Sequence, residues 1–106
     1  MLNNTYQQLK QIKKITVSKK YSSLTIISNK YHLPRIKAFI KYRRELNTQN
    51  KYFVNILAAE DILIEHNPKR WKKIITSAYK TQAMKKRIRA ELKGARDIKD
   101  GRYSLI

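Results

Sequence analysis

Two dense basic runs, Lys69-Arg70 with Lys72-Lys73 and Lys85-Lys86-Arg87 with Arg89, are the side chains of this chain best suited to chemistry. Cations at such short spacing neutralise successive phosphates of a nucleic acid, and release of the condensed counterions supplies the affinity. A third set, Arg35, Lys37, Lys41, Arg43 and Arg44, recurs at helical spacing, and Arg102 adds a cation near the end of the chain. Tyr21, Tyr31, Tyr42, Tyr79, Trp71 and Tyr103 stand among these charges, where rings can stack on unpaired bases. For Trp71 the expectation is core packing instead.

Covalent and metal chemistry find no comparable pattern. His32 and His66 are the two histidines and stand far apart, and the only glycines, Gly94 and Gly101, cannot build a phosphate-binding loop. The absence of cysteine excludes disulfides, thiolate metal sites and cysteine nucleophiles. Glu60, Asp61 and Glu65 have the oxygen chemistry to hold Mg²⁺, but acids on an otherwise apolar segment among so many cations read as ion-pair partners. A non-enzymatic protein without a cofactor or metal is expected.

The whole composition points the same way. The 106 residues carry 25 Lys and Arg against 7 Asp and Glu, a formal charge of +18, and no carboxylate precedes Glu45. Such a surface needs a polyanionic partner. One stretch escapes: Tyr52 to His66 has no Lys or Arg and reads as core or as a protein contact surface. A hydrophobic fraction of 42% and few glycines and prolines imply a folded chain, with residues 1–106 forming one basic nucleic-acid-binding domain. No apolar run approaches the roughly 20 residues that span a bilayer, and the N-terminus lacks the apolar stretch of a secretory signal. An intracellular location, cytoplasmic or organellar, is expected. The acid-free, Lys- and Ser-rich first thirty residues resemble an organellar transit sequence, although no Arg occurs there.

Several elements must position these groups. A helix is predicted from about Asn4 to Lys14, capped by Asn3 or Asn4, with Ile15 to Ser18 extended after it. Ser22 or Ser23 caps a second helix carrying Leu24, Ile26, Ile27 and Tyr31 and ending before Pro34. A third runs from about Arg35 to Leu46, with Ile36, Phe39, Ile40 and Leu46 inward and its basic set outward. A fourth, Lys51 to Glu65, is the expected buried centre, and Asn67-Pro68 stops it. Beyond Pro68, Trp71, Ile74, Ile75 and Ala78 form one apolar stripe and Met84, Ile88 and Leu92 another. The stripes are about a quarter turn out of phase, which predicts a break between Tyr79 and Gln82. Gly94 then caps the last helix, and residues 95–106 form a hairpin around Asp100-Gly101. The fold expected is mainly α, a small helical domain of about four to six helices with a short C-terminal β-hairpin.

Three local resemblances suggest roles. Ser22 to Leu46 resembles a helix-turn-helix, which implies DNA contact through Arg35, Lys37, Lys41, Arg43 and Arg44. Thr81 to Gly94 resembles a winged-helix recognition helix, with Asp100-Gly101-Arg102-Tyr103 as the wing tip. Lys41-Tyr-Arg-Arg-Glu-Leu46 resembles the Leu-Tyr-Arg motif of small mitochondrial helical proteins, with Lys41 in place of the leading Leu. The leading expectation is a structural RNA-binding protein of a large ribonucleoprotein such as a ribosome. A small DNA-binding regulator or recombination accessory protein is the alternative, and a basic subunit of an organellar protein complex the third.

Overall fold

The computed structural model describes residues 4–47 and 52–102. Among these the chain is mainly helical, with five α-helices and one two-stranded parallel sheet. The first helix, α1 (Thr5–Ser18), opens where Asn4 accepts the Gln7 backbone N–H at 2.8 Å. It does not stop at Lys14. Thr16 is buried and donates its hydroxyl to the Ile12 carbonyl at 2.7 Å, so the β-branched run expected to be extended completes another helical turn.

The end of α1 carries a Schellman motif. Tyr21 N–H reaches the Thr16 carbonyl and Lys20 N–H that of Val17, both at 3.1 Å, with Lys20 left-handed at φ 57°. A left-handed L-residue costs about 1–2 kcal/mol, more than the entropy a glycine loses on folding there. Lys20→Gly is therefore expected to raise stability by about 0.5–1 kcal/mol in urea denaturation.

Ser23–Ser28 is a strand, β1, where a helix was expected. Leu24, Ile26 and Ser28 turn inward while Ser23, Thr25 and Ile27 face out, a period of two that suits a β-branched run. Its partner β2 (Phe53–Ala58) replaces the first half of the predicted fourth helix, and Ser23 to Ser28 pair in parallel register with Phe53 to Ala58. The connection between them holds a 3₁₀ turn (Lys30–His32), helix α2 (Leu33–Tyr42) and a second 3₁₀ turn (Arg44–Leu46). Pro34 sits in the first turn of α2, where its missing N–H costs nothing. The helix-turn-helix is thereby overturned: its first helix is a strand, and its second ends at Tyr42 rather than Leu46.

The centre of the molecule is α2. Phe39 is 0% exposed and packs with Leu9, Leu33, Ile36, Leu46, Ala58 and Ile98, its ring centroid 5.9 Å from that of Tyr6. The predicted fourth helix, Lys51 to Glu65, was expected to be the buried centre; that segment supplies Ala58 to the core, but its Phe53 is 70% exposed. Its second half forms α3 (Ala59–His66), stopped as predicted at Asn67-Pro68. Asn67 then caps α4 (Pro68–Tyr79) by accepting the Arg70 N–H at 3.3 Å. No residue of α4 is buried, so Trp71 is half-exposed instead of core.

The predicted break falls at Lys80-Thr81, where the Thr81 hydroxyl accepts the Met84 N–H at 3.1 Å and opens α5 (Gln82–Lys99). This helix runs through Gly94, which is no cap. Gly94 is buried against Arg35, and a Cβ there would lie 3.0 Å from the guanidinium. The true cap is Gly101 at φ 74°, with Arg102 N–H on the Asp97 carbonyl at 2.7 Å and Gly101 N–H on that of Ile98 at 3.2 Å. The hairpin is corrected accordingly: residues 95–99 are helical, Asp100-Gly101 ends a helix, and residues 103–106, including the wing-tip Tyr103, lie outside the described residues.

Candidate nucleic-acid interface

Glu91 sorts the cations of α2 and α5 into two kinds. Its carboxylate, 2% exposed, lies 2.9 Å from Arg35 Nε, 3.1 Å from His32 Nδ1 and 3.6 Å from Arg87 Nε. Thr5 Oγ1 approaches the other ring nitrogen of His32 at 3.0 Å. A carboxylate this deep needs its charge matched, and Arg35 and Arg87 supply the match. These two were expected on the nucleic-acid face; the Arg35 head instead joins α2 to α5, and Arg87 reaches Glu91 along α5 itself. Arg87 also lies 5.6 Å from the Tyr31 ring centroid.

Other expected site residues divide in the same manner. Arg43 is half-buried beside the second 3₁₀ turn. Arg102 reaches Asp100 at 3.0 Å and Asp97 at 3.4 Å, which compensates its charge at the end of α5. Lys93 also donates to Asp97, and that hydrogen bond leads in holding the Asp97 carboxyl below its ordinary value. By contrast Lys37, Lys41, Arg44, Lys69, Arg70, Lys72, Lys73, Lys85, Lys86 and Arg89 are exposed and meet no carboxylate among the described residues. They stand on α2, the turn after it, α4 and α5, so they do not converge on one reading helix. Arg70 lies 5.1 Å from the Trp71 ring centroid.

Two concavities lie between these helices. The larger, about 560 Å³, is bounded by Lys30 and Tyr31, by α3, by α4 and by α5, with Ile64, Ile75, Ile88 and Leu92 on its walls. On its floor Glu60 accepts the Lys30 N–H at 2.8 and 2.9 Å and the Tyr79 hydroxyl, while Lys30 Nζ pairs with Asp61 at 3.3 Å. Burial, with the Glu60 carboxylate as hydrogen-bond acceptor, pushes the Tyr79 phenol far above its ordinary range, so it stays a donor. Tyr79 is thus a partner for Glu60. Of the acids read as ion-pair partners, Asp61 pairs with Lys30, and among the described residues no three His, Asp or Glu are placed to hold a metal ion.

The smaller concavity, about 310 Å³, is a trough between α2 and α5. Lys37 and Lys41 line one side and Arg96 and Lys99 the other. Comparison with protein-family profiles, curated proteins and solved structures found no match. The reading of this surface rests on its own geometry.

Arg96 and Lys99 were missed because Gly94 was taken to end the helix. With α5 continuous, Lys85, Arg89, Arg96 and Lys99 fall within an arc of about 80° at 3.6 residues per turn, which is the signal that would have found them. Glu91 was also missed. An acid in a basic helix, with Arg87 four residues before it, is visible in sequence, but its burial is not. No helix among the described residues is long and apolar enough to cross a membrane.

Proposed function

We propose that this chain is a non-enzymatic RNA-binding protein held within a large ribonucleoprotein such as a ribosome, in the cytoplasm or an organelle. The observation that carries this reading is the spread of exposed cations without carboxylate partners over α2, α4 and α5. A DNA regulator needs one concentrated reading face. A scaffold protein wedged among RNA segments uses several. The sheet supports a neighbouring protein in the same assembly: the outer face formed by Thr25, Ile27, Phe53, Asn55 and Leu57 carries no charge and is exposed. Parallel sheets are ordinarily covered on both faces.

The test is to sequence the nucleic acid that stays with the native protein through a high-salt wash. One structured RNA, strongly enriched, is the expected result. Discrete DNA sites would replace this reading with the regulator, and recovery of neither would favour a subunit of a protein complex.

A second expectation concerns mechanism. Replacing Lys72, Lys85 and Lys86 together by Gln is expected to weaken binding to unrelated RNA sequences alike. Each lost phosphate contact should reduce the slope of log affinity against log salt by about 0.7–0.9. Isothermal titrations at several salt concentrations measure it, and a loss confined to one sequence would count against a backbone-reading surface.

A further inference from the structure

The α2–α5 trough differs in kind from the larger groove beside it. Glu60 and Asp61 line the larger one, whereas no carboxylate lines the trough, whose rims carry Lys37, Lys41, Arg96 and Lys99. Between the rims the floor is apolar, built from Pro34, Ala38, Leu92 and Ala95, and Leu92 is 42% exposed. Tyr42 also lines the trough, is 41% exposed, and has the Lys41 ammonium 5.3 Å from its ring centroid.

We propose that this trough binds an unpaired stretch of RNA, with phosphates on the two cationic rims and a base stacked on Tyr42. The proposal rests on the RNA-binding reading and names the part of the RNA that this site takes. Charge decides for a polyanion, since four cations face one another across a concavity without an acid. The floor decides between paired and unpaired strands. A duplex turns phosphates and sugar hydroxyls outward and keeps its base faces stacked inside, so an apolar floor gains nothing from it. An unpaired base offers a flat apolar face directly beside its own phosphate. Lys41 and Tyr42 reproduce that adjacency, a cation for the phosphate in contact with a ring for the base. The volume of about 310 Å³ lies at the small end of ligand pockets, which suits a nucleotide rather than a protein element.

The experiment measures fluorescence anisotropy of the full chain with a labelled single-stranded RNA and with a duplex of the same length, at 50 mM salt. Tyr42→Leu keeps an apolar side chain and removes the ring. It is expected to lower affinity for the single strand about 5- to 100-fold and to leave the duplex unchanged, with no change in salt slope. Tyr42→Phe, which keeps the ring, is expected to bind like the parent chain. A single-strand loss shared by Tyr42→Phe, or matched on the duplex, overturns the proposal. So does unchanged binding by Tyr42→Leu, and in that case the RNA-binding reading survives if the parent chain still holds both RNAs. Absence of binding by the parent chain defeats both readings. Vesicles of anionic phospholipid serve as the competing ligand: Tyr42→Leu losing vesicles while keeping RNA would assign the trough to a lipid headgroup instead.

Discussion

Affinity for RNA is expected to fall about 10³- to 10⁵-fold between 50 and 200 mM salt. The size of the effect follows from the number of exposed cations that meet no carboxylate in their own fold. On α2 and α5 alone these are Lys37, Lys41, Lys85, Lys86, Arg89, Arg96 and Lys99. With α4 contributing Lys69, Lys72 and Lys73, engagement of about 6–10 phosphates is within reach of one molecule. Each engaged phosphate releases condensed counterions, and raising the bulk salt reduces the entropy gained by that release. Arg35, Arg87 and Arg102 are left out of the count because Glu91, Asp97 and Asp100 already hold them. Titrations at four or five salt concentrations give the slope directly. A loss below about tenfold would show that phosphates are not the main ligand. Attention would then turn to the uncharged outer face of the sheet.

Loss of the buried carboxylate should have the largest effect on folding. Removing one partner of a buried ion pair typically costs about 3–5 kcal/mol, because the other charge is stranded. Glu91→Ala removes the carboxylate that Arg35 and His32 Nδ1 share between α2 and α5. Water reaches about a fifth of the His32 and Arg35 side chains and most of Arg87, so the lower end, about 3 kcal/mol, is expected. That is a large share of the roughly 5–15 kcal/mol by which a domain is stable. Urea denaturation measures it. Glu91→Gln keeps the shape and one acceptor and should lose less than Glu91→Ala. A loss under about 1 kcal/mol for Glu91→Ala would mean that solvent screens the cluster and that apolar packing alone joins the helices.

The starts of α1, α4 and α5 were legible in the chain because a cap acts over three residues. Asn4, Asn67-Pro68 and Thr81 each satisfy a backbone N–H in the next turn, and no distant segment is needed for that. The break before α5 was legible for a related reason: two apolar stripes a quarter turn apart cannot share one straight helix and one core. The cationic character of the surface also needed no coordinates, because the few acids cannot mask so many bases.

Strands β1 and β2 were not legible. Leu24, Ile26, Ile27 and Tyr31 satisfy helical spacing, yet the six residues of β1 equally satisfy a period of two. The choice belongs to backbone hydrogen bonds with a segment that begins at Phe53, far along the chain from Ser23. Two glycines show the same division. Gly101 takes the left-handed conformation a helix end requires, a local property, whereas Gly94 sits mid-helix because Arg35 from another helix occupies the space of its side chain. The trough is of the second kind. Lys37 and Lys41 are a helical repeat that sequence displays, but they face Arg96 and Lys99 because α2 and α5 are packed together around Glu91, Ile36 and Ile98. Charge and caps are properties of neighbours in the chain. Strand pairing, burial of an acid and the shape of a groove depend on which distant segments exclude water together.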